Sequence, residues 1–139
     1  MTVGKTNKRK NHMRRITDHK LNGLNDELHI TVVDEPGAGG ACHVYSIAYG
    51  YNPGTDVGGS NELCRIGFQN GPIKEAAVNG VSQEALMAIL IDRLRSFQAG
   101  PYACRENAIA LTHLEEGLMW LQKRTRDRMA RGVEGTMAK

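Results

Sequence analysis

Three arginines near the end of the chain, Arg124, Arg128 and Arg131, have the spacing that most suggests ligand chemistry. On a helix, Arg124 and Arg128 lie one turn apart on the same face, and Arg131 follows about a turn later. Planar guanidinium groups in such a row can clamp a polyanion bidentately. The alternative is that basic residues near a helix C-terminus only complement the helix dipole. Spacing alone leaves both interpretations open.

Phe97 and Asn107 are two further residues with recognisable binding chemistry. Phe97 closes a predicted helix, where its ring either stacks on a base or packs as a core aromatic. Asn107 falls on the apolar seam of the next predicted helix, where an amide costs stability unless it is hydrogen-bonded. That amide either satisfies a core hydrogen bond or reads the edge of an adenine.

The motifs of catalysis and of metal binding are missing from the sequence. Gly37, Gly39 and Gly40 are not followed by the Lys-Ser/Thr of a P-loop, and no GxGxxG opens a helix. The histidines are scattered without paired ligand spacing, and Glu115 and Glu116 are about 100° apart on a helix. The three cysteines form no CxxC pair and are expected to be reduced. We therefore expect a noncatalytic binding protein without a metal or a cofactor.

Two predicted helices position the candidate residues. The first begins after the N-cap residue Ser82 and ends at Gly100-Pro101, and the second runs from Cys104 to Arg131. The short link between them predicts an antiparallel helical hairpin. The buried stripe predicted for the first helix comprises Leu86, Ile89, Leu90, Leu94 and Phe97. The seam predicted for the second comprises Cys104, Asn107, Leu111, Leu114, Leu118, Leu121, Thr125 and Arg128.

The part of the chain before the hairpin predicts a small antiparallel sheet. Residues 27–34, 41–51 and 62–69 have the β-branched content or the alternation of strands. Their connections are too short for crossover helices, so the strands should be antiparallel. IKEAAV, from Ile73 to Val78, is either a short fourth strand or an extended connection. The predicted class is α+β, with residues 25–80 forming the sheet and residues 81–139 the hairpin and C-terminal tail of one compact domain.

Charge and composition add constraints. Seven of the first twenty residues are basic, although the formal net charge is only +3. Residues 1–24 are therefore predicted to be a flexible basic tail, which either improves solubility or contacts phosphates nonspecifically. Aromatic residues make up only 5%, so we expect a modest core that is reinforced by oligomerisation. No apolar run reaches the roughly 18 residues of a membrane helix, which favours a cytoplasmic location.

Several stretches together resemble one known family. They are DEPGAGGA followed by His43 and Tyr45, IGFQNGPIKE, FQAGPYACRENA and RTRDRMARGVEGT. The combination resembles the phage Thoeris anti-defence sponge, a sheet-plus-hairpin protein that sequesters cyclic ADP-ribose signals. The hairpin is similar to that of the phage anti-CBASS cyclic nucleotide sponges. The resemblance covers about residues 27–136.

The resemblance implies a noncatalytic protein of the infected bacterial cytoplasm that withholds a nucleotide signal from a host Thoeris or CBASS effector. Its ligands would be glycocyclic ADP-ribose isomers and, in a second pocket, cyclic di- or trinucleotides. Its chains would form homodimers that assemble into homohexamers. By position, the resemblance places the main pocket at Phe97, Asn107, Arg124 and Arg128. It places the second pocket at Arg131, Gly135 and Thr136. Gln69 and Asn70 are expected to close over the ligand.

The length of the second helix adds a geometric expectation. Asn107 and Arg124 are seventeen residues apart, about 25 Å along a straight helix, which one small cyclic nucleotide cannot span. A shared pocket therefore requires two subunits, and we expect them to pack antiparallel along the leucine seam. A charged residue in place of Leu118 should then abolish binding. The alternatives are a basic nucleic-acid-binding phage protein and, with less support, a phosphodiesterase acting on the same signals.

Overall fold

The computed structural model describes residues 14–50 and 58–139. The predictions made for residues 1–13, most of the basic tail, lie outside the described residues. So do those for residues 51–57, which include the end of the second predicted strand. The chain divides into two compact units, one up to Asn70 and one from Gly71. The sequence predicts the boundary between sheet and hairpin at residue 80, so the helical unit begins earlier than expected.

The first unit contains an antiparallel sheet, as predicted, and this sheet has four strands. Its strands are β1 (Arg14–Ile16), β2 (Leu28–Val32), β3 (Val44–Tyr49) and β4 (Glu62–Gly67), and they are hydrogen-bonded in that order. The short helix α1 (Gly23–Glu27) precedes β2, and the side chain of Asn22 caps it by accepting from the N–H of Asn25. All three strand pairs are antiparallel, in agreement with the short connections.

Strand β1 was not expected, since residues 14–16 were assigned to the flexible tail. Arg14 pairs with Val32 and Ile16 with Ile30, so this segment forms one edge of the sheet. A three-residue strand with a single apolar residue carries no alternation that a sequence pattern could reveal. Charged side chains on a short edge strand also discourage pairing with further chains.

The interior of the first unit is small. Val32 and Ala48 are almost fully buried, and the polar residues Thr31, His43 and Ser46 are buried with them. On β3 the predicted alternation of faces is present, and the face carrying Ser46 and Ala48 is the more deeply buried one. Tyr49, on the opposite face, is exposed. The sheet therefore relies on a few small residues and not on an aromatic core.

The second unit contains α2 (Ile73–Ala76), α3 (Gln83–Gln98) and α4 (Arg105–Ala130). The prediction that IKEAAV is a strand or an extended connection is wrong, because its first four residues form α2. Pro72 starts this turn of helix by accepting hydrogen bonds from Glu75 and Ala76 through its carbonyl. The cap of α3 is confirmed, since the hydroxyl of Ser82 accepts from the N–H of Ala85 at 3.1 Å.

The predicted seam of α4 faces α3 of the same chain. Arg128 is buried and Cys104 is exposed. The other members of the seam are half-buried: Asn107, Leu111, Leu114, Leu118, Leu121 and Thr125. Leu118 borders a small cavity together with Ala88 and Ile91 of α3. An ion pair of 3.0 Å between Arg95 and Glu115 also links the two helices. Within one chain, the hairpin itself therefore uses the seam that we expected to join two subunits.

The stripe predicted for α3 is also mostly wrong. Ile91 is the buried residue of this helix, and Met87 and Leu94 flank it on the same face. Ile89, Leu90 and Phe97 are instead 57%, 49% and 40% exposed. The helix carries two apolar faces at helical spacing, and only one of them can pack on α4. The other forms what we call the outer strip, comprising Leu86, Ile89, Leu90 and Phe97.

Among the residues that the structure describes, no helix is both long enough and apolar enough to cross a membrane.

Candidate functional site

The C-terminal half of α4 borders a cavity of about 580 Å³. Five cationic side chains and a single carboxylate surround it, together with one tryptophan. They are Trp120, Lys123, Arg124, Asp127, Arg128, Arg131 and Lys139. The structure therefore brings the three predicted arginines to one cavity, as their helical spacing suggests. The excess of positive charge makes this cavity suitable for an anion.

Arg128 is not free to clamp a ligand in this structure. It is only 7% exposed, and its Nε donates to Oε2 of Glu134 at 2.9 Å. Its Nη1 donates to the carbonyl of Ala138 at 2.5 Å, and its Nη2 donates to the carbonyls of Val133 and Thr136 at 3.0 and 3.1 Å. Four of the five N–H groups of the guanidinium are thus used to hold the C-terminal tail, residues 132–139.

Two of the residues predicted for a second pocket, Gly135 and Thr136, belong to this tail, and the third, Arg131, directly precedes it. Arg131 donates from Nη1 to the main-chain oxygen of Lys139 at 2.7 Å, and the hydroxyl of Thr136 donates to the carbonyl of Val133. Gly135 has a φ of +78°, and a Cβ at this position would lie 3.1 Å from Cγ1 of Ile73. Position 135 therefore requires a glycine, both because φ is positive and because α2 approaches closely.

Arg124 differs from Arg128 in its surroundings. It lines the cavity, is exposed, and its guanidinium has no hydrogen-bond partner among the described residues. Its neighbour Lys123 is paired with Asp127 at 2.6 Å, which neutralises part of the local charge. Trp120, one turn before Arg124, is 63% exposed and borders the same cavity. Arg124 is therefore the arginine whose guanidinium is most available to bind a phosphate.

Phe97 and Asn107 lie at the turn of the hairpin, away from this cavity. Phe97 lies in the last turn of α3, and the guanidinium of Arg93 lies 5.5 Å from the centroid of its ring. Asn107 lies in the first turn of α4 and is half-buried, and its backbone N–H donates to Sγ of Cys104. Because α4 is continuous from Arg105 to Ala130, Asn107 and Arg124 cannot share one small pocket within a chain.

Gln98 holds the turn together, a function that the sequence analysis missed. Its Oε1 accepts from the N–H of Cys104 at 3.1 Å, and its Nε2 donates to the carbonyl of the same residue at 3.0 Å. One amide side chain thus bonds both main-chain polar groups of Cys104, whose carbonyl also accepts from the N–H of Ala108, and this fixes the start of α4 relative to the end of α3. A glutamine at a helix end before Gly-Pro is only a weak sequence signal for this arrangement.

Gln69 and Asn70, expected to close over the ligand, lie at the end of the first unit. Oδ1 of Asn70 accepts from the N–H of Ala38 at 3.2 Å and thereby holds the glycine loop. The same loop is anchored by Asp34, whose carboxylate accepts from the N–H groups of His43 and Val44. Burial raises the pKa of Asp34, but these N–H groups outweigh it, so the pKa lies below its usual value.

A second fixed carboxylate, Glu62, was also not predicted. It accepts from the side chain of Arg65 at 3.1 Å, from the hydroxyl of Ser46 at 2.5 Å and from the N–H of Gly58 at 2.9 Å. The bonds from Arg65 and Ser46, together with that from Gly58, lower the pKa of Glu62 from 4.5 to about 2. This cluster ties β4 to β3 and to the loop before β4.

In the described ranges, no group of three His, Cys, Asp or Glu side chains could hold a metal ion.

The described residues thus form an α+β protein, with a small antiparallel sheet followed by a helical hairpin that has a cationic cavity along α4. Residues 60–126 match the family model described as Acb2/Tad1, hairpin domain. The chain is also 52% identical over 80 residues to "Thoeris anti-defense 1" of Bacillus phage SBSphiJ7, covering 58% of this chain and 56% of that relative. The resemblance to the phage Thoeris anti-defence family is thereby confirmed.

The two matches cover only part of this chain and of the phage relative. The chain spans little more than half the length of the phage relative. The family model includes Phe97, Asn107 and Arg124, but it ends before Arg128 and the C-terminal tail. The matched domain therefore contains both ends of the hairpin turn and the exposed arginine, while the tail and its anchor lie beyond it.

Proposed function

We propose that the protein is a noncatalytic phage anti-defence protein that binds a cyclic nucleotide immune signal and withholds it from a host effector in the cytoplasm of the infected bacterium. The observation that carries this proposal is the cationic cavity at Arg124, built on a hairpin that matches the Acb2/Tad1 domain. The name of the phage relative supports the Thoeris system as the target.

The ligands proposed are glycocyclic ADP-ribose isomers, with cyclic di- or trinucleotides as candidates for a second pocket at Arg131, Gly135 and Thr136. Arg124 would neutralise the pyrophosphate through its unpaired guanidinium, and Phe97 would stack on the adenine with its exposed ring. Asn107 would supply selectivity through its amide. Arg128 contributes to the same cavity, but a ligand reaches its N–H groups only by displacing the tail.

Two copies of the chain are needed to complete this site. Phe97 and Asn107 lie at one end of the hairpin and Arg124 at the other, about 25 Å along α4. With the leucine seam used inside the hairpin, the surface that supports a second copy is the outer strip of α3. We propose that dimers form through this strip and that they assemble further into hexamers. Phe97 belongs to the strip, so dimerisation and ligand binding would involve the same region.

Calorimetric titration with glycocyclic ADP-ribose and with cyclic di- and trinucleotides tests the proposal. A sponge must compete with an effector, so tight binding and slow release are expected. The released ligand is then examined by chromatography after the protein is denatured by heat. Recovery of intact ligand supports sequestration, and recovery of a hydrolysed product would identify a phosphodiesterase instead.

Nucleic acid is the second candidate partner, and the cationic cavity is the observation that favours it. Binding to nucleic acid would weaken steeply with rising salt concentration and would depend on residues 1–24. A stoichiometric complex with one small nucleotide, retained after deletion of those residues, argues against it.

A further inference from the structure

Trp120 has no role in the site described so far, although its position is unusual. It is the single tryptophan of the chain and is 63% exposed, on the side of α4 that borders the cationic cavity. A large aromatic side chain left in water forgoes the stabilisation that burial would give it. Burial within the described hairpin therefore does not explain its place.

The hydrogen bonds around Trp120 indicate which charged groups of the cavity are available to a ligand. Lys123 is engaged by Asp127, Arg128 by Glu134 and the tail, and one Nη of Arg131 by Lys139. Arg124 remains without a hydrogen-bond partner among the described residues. Besides the ammonium group of Lys139, the cavity thus presents one aromatic ring and one guanidinium group without a hydrogen bond, four residues apart on a helix.

A four-residue separation corresponds to about 6 Å along the helix axis and to nearly the same face. This distance suits a ligand in which a planar ring and a phosphate are joined by one sugar. Aromatic rings bind nucleobases by stacking, and a guanidinium fork binds a phosphate with two parallel hydrogen bonds. A nucleotide satisfies both groups at once, whereas an inorganic anion would leave the ring unused.

We propose that Trp120 is a further binding residue, which stacks on the base of a nucleotide whose phosphate is held by Arg124 of the same copy. This inference rests on the proposed function and adds a second stacking face to that of Phe97. It also accounts for the exposure of the indole, because its partner is the ligand and not the protein.

The single tryptophan makes the inference directly measurable. Excitation of the indole reports only on position 120, so the titrations use linear ADP-ribose, cyclic ADP-ribose and pyrophosphate as probes. Both ADP-ribose compounds should change the emission saturably, and pyrophosphate should displace them without such a change of its own. Trp120→Phe should retain affinity within about threefold, whereas Trp120→Ala should weaken binding by roughly 5- to 100-fold.

A matched pair of arginine variants separates the site from general charge. Arg124→Ala should weaken binding at least tenfold. Arg126→Ala removes the same charge two residues away, on the other side of the helix, and should leave affinity within about twofold. Circular dichroism confirms that each variant retains its helices.

The outcomes distinguish this inference from the proposed function. Calorimetric binding of a cyclic nucleotide with unchanged tryptophan emission, and with full affinity in Trp120→Ala, overturns the role of Trp120 and leaves the sponge standing. Saturable quenching by ADP-ribose that is lost in Arg124→Ala supports the role of Trp120. The sponge itself fails if no cyclic nucleotide binds the wild-type protein in calorimetry, whatever linear ADP-ribose does.

Discussion

Arg124 and Arg128 lie one helical turn apart, yet their surroundings assign them different tasks. The guanidinium of Arg128 is buried and holds the tail through Glu134 and three carbonyls. Arg124 is exposed and faces the cavity. Sequence spacing places both arginines on one face of the helix. It does not predict which of them binds the tail, because the tail has no periodic pattern. The sequence thus predicted that these arginines lie on one face, but it did not predict the hydrogen-bond partners of each.

Replacing each arginine by alanine should separate these tasks. Arg128→Ala leaves the carboxylate of Glu134 and several carbonyls without their donor, so we expect a loss of about 2–4 kcal/mol in the free energy of unfolding. Arg124→Ala should change that free energy by less than about 0.5 kcal/mol while weakening ligand binding. Urea denaturation and calorimetry measure the two effects. Equal stability of both variants would contradict a tail-anchoring role for Arg128.

Glu62 predicts how stability depends on pH. Because its pKa is lowered from 4.5 to about 2 in the folded state, its contribution is fully present above pH 4.5 and is lost as the pH falls towards 2. Thermal unfolding from pH 7 to pH 2 should show the wild type losing its advantage over Glu62→Gln across this window. Asp92→Asn, which removes an exposed carboxylate of α3, serves as the control and should run parallel to the wild type.

At the scale of elements, the hairpin shows what periodicity can and cannot predict. The two helices, the cap at Ser82 and most of the α4 seam follow from spacing and capping chemistry. The packing face of α3 does not, because two apolar stripes compete and the choice depends on the fit to α4. Gly117 is part of that fit, since a Cβ there would lie 3.0 Å from Cε of Met87.

Gly117→Ala is expected to stabilise the protein by about 0.5–1 kcal/mol. Alanine has a higher helix propensity than glycine, and the atom it meets is the flexible end of a methionine, which can move by a few tenths of an ångström. Gly117→Leu should have the opposite sign because its larger side chain would separate α3 from α4. Unfolding midpoints of the two variants test this, and a destabilised alanine variant would show that the helices have no room to adjust.

At the scale of the molecule, each compact unit has few buried hydrophobic side chains among the described residues: Val32 and Ala48 in the first unit and Ile91 in the second. The sequence predicted this modest core from its low aromatic content, and it predicted the α+β class and the antiparallel sheet. It missed β1 and α2, which are too short to show a period. A chain with a small core and an exposed apolar helix face gains most from association with another copy.

Ile89→Glu tests whether the outer strip of α3 joins two copies. A charge at this exposed position should lower the oligomer mass in light scattering and abolish ligand binding while leaving the helix content intact. Leu118→Glu should instead lower the unfolding temperature, since Leu118 lies between the two helices of one chain. Thr112→Glu adds the same negative charge at an exposed position of α4, outside the strip, and serves as the control. An oligomer with full affinity in Ile89→Glu would exclude the strip as the interface.

The engagement of Arg128 by the tail also has a kinetic consequence. If the ligand uses Arg128 as well as Arg124, the carbonyls of Val133, Thr136 and Ala138 must first release their donors. The observed rate of complex formation would then rise with ligand concentration only until tail opening becomes limiting, and would level off at the opening rate. In stopped-flow mixing, Glu134→Gln should raise that plateau, because it weakens the hold on the tail without altering the exposed arginine.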